Sequence, residues 1–173
     1  MICAVPAAVI LIVFSCGKPE IHLTDNSHLQ VDSSLGLSIA DTITYEVKIV
    51  NPDPEDKWTA QCLSGLDHQA LVDNIFDMIY NGEVTAYDYD TMEPLKTGKV
   101  EKMEKEAVFN RSDIGMIQFT EEWYLNPEDG SMTKKVRSMV LGKNHYNSEG
   151  QLFGYEPLFR VKMADSRDEM MKR

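Results

Sequence analysis

The sequence predicts an α+β fold: a mostly antiparallel β-sheet with one principal helix packed on it and a second, short helix. Three observations predict it. Apolar and polar residues alternate over Ile43–Ile49, as in a half-buried strand. Apolar residues recur at helical spacing within Asp67–Asn81. The runs Met116–Leu125 and Met132–Leu141 flank the turn sequence NPEDGS, which is the pattern of a β-hairpin.

Length and composition favour a single globular domain with an acidic surface. The chain has 173 residues, of which 43% are hydrophobic and 26% charged, and its formal net charge is -11. These values are typical of one folded domain. Binding to nucleic acid is favoured by clusters of Lys and Arg, so no nucleic-acid partner is expected.

The first residues, MICAVPAAVILIVFSC, form an unbroken apolar run. The run is shorter than the roughly 20 residues that cross a bilayer and has the size of the apolar region of an export signal. Its end at Ser15-Cys16 resembles a bacterial lipoprotein signal, in which a Cys after a small residue is acylated. We therefore expect residues 1–15 to be a signal peptide, Cys16 to carry lipid and residues 16–40 to form a tether. The alternatives are a buried strand, or an ordinary signal with an incidental Cys.

The domain is predicted to span residues 41–163, with a charged tail at 164–173. Its first strand has one apolar face, and the two prolines within Asn51–Lys57 end it. Trp58 is expected to cover an edge of the core. Cys62 is expected to be a packing residue, since Cys3 and Cys16 belong to the signal region. The apolar face of the strand consists of Ile43, Tyr45, Val47 and Ile49.

The principal helix is predicted over Asp67–Asn81. Ser64 or Asp67 can cap its start, and Gly82 follows its end, where a left-handed conformation favours glycine. The sequence EVTAYDYD then indicates a short strand, and Lys99–Val108 a second, exposed helix. The buried stripe of the principal helix is predicted to contain Leu71, Val72, Ile75, Phe76, Met78 and Ile79.

The remaining segments are predicted to complete the sheet. One helical turn is expected at Ser112, the hairpin follows, and Lys143–Gln151 is expected to be a polar loop. In the hairpin, Trp123 shares a strand face with Leu125 and is expected to face the core, while Glu122 and Tyr124 face outward. The last strand, Tyr155–Met163, is predicted to place Tyr155, Phe159, Val161 and Met163 on one face.

The acidic side chains do not form a recognisable catalytic or metal-binding motif. Glu121 and Glu122 are neighbours on a predicted strand and should point to opposite faces, so they do not match the paired carboxylates of a glycosidase. The segment Asp88–Glu93 lacks the glycine of an EF-hand calcium loop, and a solvated turn is expected there. No catalytic, cofactor-binding or metal-binding residue is predicted, and an enzyme is the third choice of function.

Three segments, in order, resemble the GldN/PorN family of the Bacteroidetes gliding-motility and type IX secretion machinery. LVDNIFDMIYNGEVTAYD (Leu71–Asp88) is similar to the family's helix and following strand. Arg111–Gly142 is similar to its "K-E-D-W" strand, Asp-containing turn and Arg-bearing return strand. EGQLFGYEPLFRV (Glu149–Val161) is similar to its "G-Y-x-P-L-F-W" ending. The resemblance extends from about Ile43 to Met163 and identifies the chain as a short, lipoprotein-like relative.

The resemblance implies a non-enzymatic protein with a structural or assembly role in such an apparatus. Its implied partners are other cell-envelope proteins, including a secretion-ring lipoprotein, and its implied place is the outer membrane, anchored by lipid and facing the periplasm. It also implies that Trp123 and Phe159 pack in one core and that Arg137 is a surface or interface contact. The alternative is a lipid-anchored ligand- or polysaccharide-binding module that uses exposed aromatic side chains. The family-signature or interface candidates are Glu122, Trp123, Arg137, Gly142, Tyr155, Pro157 and Phe159.

Overall fold

The computed structural model describes residues 31–32 and 35–163. The predicted signal peptide, the predicted lipidation site Cys16 and the predicted charged tail lie outside these residues. The described chain is an α+β fold dominated by antiparallel sheet, as predicted. Its elements are β1 (Val31–Asp32), β2 (Gly36–Lys48), α1 (Lys57–Cys62), α2 (His68–Tyr80), β3 (Thr85–Asp88), α3 (Thr97–Lys105), β4 (Ile114–Leu125), β5 (Met132–Tyr146) and β6 (Leu152–Lys162), with a single 3₁₀ turn at Arg111–Asp113 before β4.

The strands form one sheet in the order β1-β2-β4-β5-β6-β3, and every neighbouring pair is antiparallel. The predicted hairpin is confirmed as β4 and β5, paired from Ile114 opposite Lys143 to Leu125 opposite Met132. The prediction of a loop from Lys143 is wrong, because β5 continues to Tyr146. Pairing with β6 satisfies the backbone there, even though the side chains are polar.

The strand β2 begins at Gly36, so the sheet already includes residues before the predicted domain boundary at residue 41. Leu37 already pairs with Leu125 of β4. Gly36 has a φ of 104°, and a Cβ there would lie 2.5 Å from the carbonyl oxygen of Leu125, so only glycine fits. Further along β2, the predicted apolar face is confirmed, and Ile49 just beyond it is 4% exposed.

The helix α2 matches the predicted principal helix. The side chain of Asp67 caps it by accepting a hydrogen bond of 2.9 Å from the backbone N–H of Ala70. Gly82 follows with a φ of 74°, as the predicted left-handed cap requires. The buried side chains of α2 are Val72, Ile75, Phe76 and Ile79, while Leu71 and Met78 pack at the edge of the core.

The helix α1 contributes nothing to the core, and two predictions there are wrong. Trp58 is 74% exposed rather than covering a core edge, and Cys62 is exposed rather than packed. The helix is short, and none of its residues is buried. The side chain of Asp56 holds its start by accepting a hydrogen bond from the N–H of Thr59. Local capping therefore maintains this helix while its side chains point to solvent.

The exposed helix predicted over Lys99–Val108 is confirmed as α3. It is not exposed on every side, because Val100 points inward and is fully buried. The rings of Phe76, Phe109 and Phe159 form the centre of the core, with centroids 5.4 to 6.3 Å apart. The buried cluster consists of Ile49, Val72, Ile75, Phe76, Ile79, Val84, Ala86, Val100, Phe109, Ile114, Ile117, Met139, Leu141, Phe159 and Val161.

Trp123 is outside this cluster, so the expectation that it packs with Phe159 is wrong. Phe159 pairs with Leu141, which in turn pairs with Ile117 near the start of β4. Trp123 lies near the other end of β4. The two aromatic residues therefore occupy different regions of the sheet.

A β-bulge in β6 reverses the predicted orientation of Tyr155. Leu141 pairs with Phe159 and Gly142 with Pro157, so Leu158 is an extra residue. One extra residue in a strand moves the side chains that precede it to the opposite face of the sheet from the one that simple alternation predicts. The prediction that Tyr155 shares a face with Phe159 is therefore wrong. Phe159 faces the helices, and Tyr155 lies on the opposite face of the sheet.

Candidate functional site

The two adjacent carboxylates of β4 point to opposite faces of the sheet, as period-two alternation predicts. Glu121 lies on the same face as Ile117 and Phe119, beyond the edge of the core. Glu122 lies on the face without helices. Each carboxylate accepts hydrogen bonds from aromatic side chains, and each belongs to a separate cluster.

Glu121 is the more buried of the two carboxylates, at 4% exposure. Its Oε1 accepts a hydrogen bond of 3.0 Å from the hydroxyl of Tyr45, and its Oε2 accepts one of 3.0 Å from the indole N–H of Trp123. Burial raises the pKa of Tyr45, and the hydrogen bond to Glu121 and its charge raise it further. The two oxygens thus hold two rings from neighbouring strands in fixed positions.

A lysine ammonium lies against these rings. Lys134 of β5 pairs directly with Trp123, and its Nζ lies 4.4 Å from the centroid of the Trp123 ring. The same nitrogen lies 5.7 Å from the centroid of the Tyr45 ring. Both distances are in the range of cation–π contacts. We refer to Tyr45, Glu121 and Trp123 as the aromatic cage.

On the other face, Glu122 joins the two strands of the hairpin. Its Oε1 accepts a hydrogen bond of 2.5 Å from Nε of Arg137, and its Oε2 accepts one of 2.5 Å from the hydroxyl of Tyr124. Burial alone would raise the pKa of Glu122, but the bonds from Arg137 and Tyr124 outweigh burial and lower the pKa below its ordinary value. The carboxylate is therefore held in its ionised form.

Glu122 and Tyr124 lie on the predicted side of the sheet, which is the face without helices. The prediction that they are exposed there is wrong. Tyr124 is 4% exposed, and the side chain of Glu122 is 15% exposed. Arg137, expected to be a surface or interface contact, is half-buried in the ion pair with Glu122. It occupies a bulge, because Thr120 pairs with Ser138 while Glu121 pairs with Val136. The extra residue brings the Arg137 side chain to the face of Glu122.

The candidates Gly142 and Tyr155 meet on the helix-free face. A Cβ on Gly142 would lie 2.8 Å from Cε of Met116 and 3.3 Å from Cβ of Tyr155. Because Gly142 has no side chain, Met116 and Tyr155 can pack closely against the backbone of β5 at this position. Burial raises the pKa of Tyr155, with smaller contributions from Tyr146 and Glu46. Its buried hydroxyl has no hydrogen-bond partner among the described residues.

Pro157 lies opposite Gly142, in the part of β6 that precedes its contact with β3. The pairing of β3 with β6 covers only Phe159 to Lys162. Within the described sheet, Pro157 therefore stands on an edge segment. A residue without a backbone N–H is tolerated at such a position because no outer strand requires that donor.

Sequence reasoning missed a charged cluster that joins the helices. Arg111 Nε lies 2.6 Å from Oε1 of Glu104 in α3, and its Nη1 lies 2.8 Å from Oδ1 of Asp73 in α2. The guanidinium also lies 4.7 Å from the centroid of the Phe76 ring. The Tyr80 hydroxyl donates a short hydrogen bond to Glu104. Burial and the hydrogen bond to Glu104 raise the pKa of Tyr80 to about 12.

A second feature that was missed is a shallow groove at the end of the β5–β6 hairpin. Phe153 is 79% exposed, and its ring packs at 6.2 Å from the His145 ring. These residues and Tyr155 line a groove of about 510 Å³, together with Gly154, Glu156 and Pro157. Contiguous exposed apolar side chains, unlike single scattered ones, mark candidate binding surfaces.

Within residues 35–163, no three His, Cys, Asp or Glu side chains are grouped as ligands for a metal ion. In the same part of the chain, no helix has the length and apolar character needed to cross a membrane. Comparison with known proteins finds no family model that matches the chain and no curated protein that is significantly similar to it.

Proposed function

We propose that the chain is a non-enzymatic cell-envelope lipoprotein with a structural or assembly role in a type IX secretion or gliding-motility-like apparatus. Its partners on this proposal are other envelope proteins, including a secretion-ring lipoprotein. Lipid on Cys16 would anchor it to the outer membrane, facing the periplasm. The resemblance to the GldN/PorN family is the source of the proposal.

The proposal rests on one observation: several of the residues that resemble the GldN/PorN family make contacts that hold the strands of the sheet together. Glu122 and Arg137 connect β4 to β5, and Gly142 allows Met116 and Tyr155 to pack closely. Glu122, Arg137 and Gly142 contribute to a long antiparallel sheet and do not line the groove around Phe153. Such a sheet is suited to presenting extended surfaces and edges to another protein.

The electrostatics of the carboxylates support a structural role as well. A general acid needs a raised pKa, whereas the pKa of Glu122 is lowered by Arg137 and Tyr124. Both oxygens of Glu121 accept hydrogen bonds from ring donors. The sheet separates the two side chains, so they cannot act on one substrate from the same side.

The test begins with the anchor. Cells that produce the full chain are labelled with a palmitate analogue, and wild type is compared with Cys16→Ser. Label on the wild type alone supports the lipoprotein, and equal label on both refutes it. The tagged, detergent-solubilised wild type should then co-purify with secretion or gliding components, and deletion of its gene should impair that secretion or movement. Normal secretion and movement after deletion, with no such components bound, would refute the assembly role.

The second candidate function is a lipid-anchored ligand- or polysaccharide-binding module. The observation in its favour is the groove around Phe153, whose ring is largely exposed beside His145 and Tyr155. Retention of wild type on immobilised polysaccharide, lost in Phe153→Ala and kept in Trp58→Ala, would support this function. Trp58 is the matched control, because it is 74% exposed and lies outside the groove.

A further inference from the structure

The aromatic cage has the composition of a site for organic cations. Two electron-rich rings, Tyr45 and Trp123, lie next to a carboxylate, Glu121, that is only 4% exposed. Aromatic faces attract ammonium groups, and ammonium-binding proteins use such rings for that purpose. The carboxylate adds a negative charge behind the rings, at the edge that carries their O–H and N–H donors.

The hydrogen bonds fix the rings and strengthen their attraction for cations. The Tyr45 hydroxyl and the Trp123 indole each donate to a different oxygen of Glu121, at 3.0 Å in both cases. A donor that bonds to a carboxylate becomes polarised, which increases the electron density of its own ring. The rings also come from neighbouring strands, so the sheet holds their spacing without help from a ligand.

The charge of Glu121 has no ionic partner in the described part of the chain. Its two hydrogen-bond donors are neutral, and none of the ion pairs among these residues includes it. A buried carboxylate with neutral donors only is favourable for a cation that approaches the rings.

A cation already lies at this position. The Nζ of Lys134 is 4.4 Å from the Trp123 centroid and 5.7 Å from the Tyr45 centroid. Lys134 is exposed, and none of the ion pairs among the described residues includes it. Its flexible stem allows the ammonium to leave at small cost.

We propose that the aromatic cage is a binding site for alkylammonium groups and that Lys134 is its internal, displaceable occupant. The ligand class is a small organic cation with an alkylated or primary ammonium. Choline and the side chain of a peptide lysine share that chemistry. The site does not depend on the role in secretion, because it is built from the cage residues and Lys134 alone.

The experiment uses the fluorescence of Trp123 as a reporter. The sequence contains two tryptophans, so Trp58→Phe leaves Trp123 as the single indole emitter. Trp58 is exposed, and its replacement should not disturb the fold. Lys134→Ala is added to this background to empty the cage, and circular dichroism verifies the fold of both proteins. Lys134→Gln serves as the second variant if the alanine protein is unstable.

Choline and Nα-acetyl-lysine methylamide are each titrated at constant ionic strength. The controls are their neutral isosteres, 3,3-dimethylbutanol and Nα-acetyl-norleucine methylamide. We expect a saturable change in Trp123 emission with at least one ammonium compound in the Lys134→Ala protein. The affinity should be about two- to fivefold higher than with Lys134 present, as expected for loss of one competing exposed cation–π contact.

The comparison of the two compounds identifies the source of the cation. Stronger binding of choline indicates a small quaternary ammonium, and stronger binding of the lysine derivative indicates a side chain of another protein. Glu121→Gln in the Lys134→Ala protein should weaken either interaction. The proposal is overturned if neither ammonium compound gives a saturable change, or if the neutral isosteres give the same change.

Discussion

Arg137 and Glu122 form an ion pair across the central hairpin, with Nε of Arg137 2.5 Å from Oε1 of Glu122. The pair lies on the helix-free face, and the hydroxyl of Tyr124 completes it at 2.5 Å from Oε2. The side chains are 25% and 15% exposed for Arg137 and Glu122, respectively. The interaction is therefore more protected from water than an ordinary surface pair.

Glu122→Gln should lower the free energy of unfolding by about 1–3 kcal/mol, because it removes a charge-assisted hydrogen bond and leaves Arg137 less well paired. The measurement is urea unfolding at pH 7. Glu128→Gln in the exposed hairpin turn is the control and should change stability by no more than about 0.5 kcal/mol. Equal stabilities for the two variants would show that the pair contributes nothing.

The same pair predicts a pH dependence. The pKa of Glu122 is lowered in the folded chain, so the unfolded chain takes up the proton at higher pH than the folded chain does. The stabilisation by Glu122 is therefore complete above the unfolded pKa of about 4.3 and is lost as the pH falls through the lower folded pKa. The stability difference between wild type and Glu122→Gln should be constant from pH 7 to 5 and shrink below about pH 4. A difference that grows on acidification would contradict the sign of this shift.

The close approach at Gly142 leads to a prediction about a single methyl group. Gly142→Ala places a Cβ 3.3 Å from Tyr155 Cβ and 2.8 Å from Cε of Met116, at the flexible end of that side chain, so it should destabilise the fold by about 1 kcal/mol, the low end of the cost of overpacking. Gly65→Ala is the matched control, because no atom lies within 4 Å of its new Cβ. Thermal unfolding of both variants gives the comparison.

Met116 provides an internal test of that explanation. If its methyl group causes the clash, Met116→Ala combined with Gly142→Ala should cost less than the sum of the two single changes. Strict additivity would mean that Met116 is not the residue that a side chain at position 142 meets.

The elements with local signals were predictable from the sequence. The helix α2 carries its own cap at Asp67, its own stop at Gly82 and a clear apolar stripe. The hairpin of β4 and β5 follows from two apolar runs around a turn. In each case, residues within a few positions of one another determine the structure.

The site residues depended on long-range pairing and were mostly not predictable. Tyr45 and Glu121 are 76 residues apart, and β2 contains two register shifts that no composition rule reveals. The extra residue Leu158 reversed the face of Tyr155. A one-residue bulge leaves an apolar pattern intact while it exchanges faces, so periodicity places Tyr155 on the wrong side.

Arg111 was missed for a related reason. It lies in a polar segment, Asn110–Asp113, where the sequence predicts a helical turn at Ser112 and gives no signal for a contact with the helices. Only the folded chain brings it between α2 and α3, where its guanidinium reaches Glu104 and Asp73 and covers the ring of Phe76. A polar residue in a turn thus connects the two helices that contribute to the core.

Arg111→Met should lower the free energy of unfolding by about 1–3 kcal/mol, mainly because Glu104 loses its charged partner while it remains partly buried. The bond to Asp73 is more exposed and adds little. Arg111→Lys keeps the charge but has no planar fork to reach both carboxylates and cover the Phe76 ring. The decrease in unfolding free energy should therefore be smaller for Arg111→Lys than for Arg111→Met, but still measurable.

The control is Lys102→Met, which breaks an exposed pair with Glu106 and should change stability by no more than about 0.5 kcal/mol. Urea unfolding at pH 7 ranks the three variants, and a lysine variant as stable as wild type would show that charge alone, without the fork geometry, accounts for the contribution of Arg111.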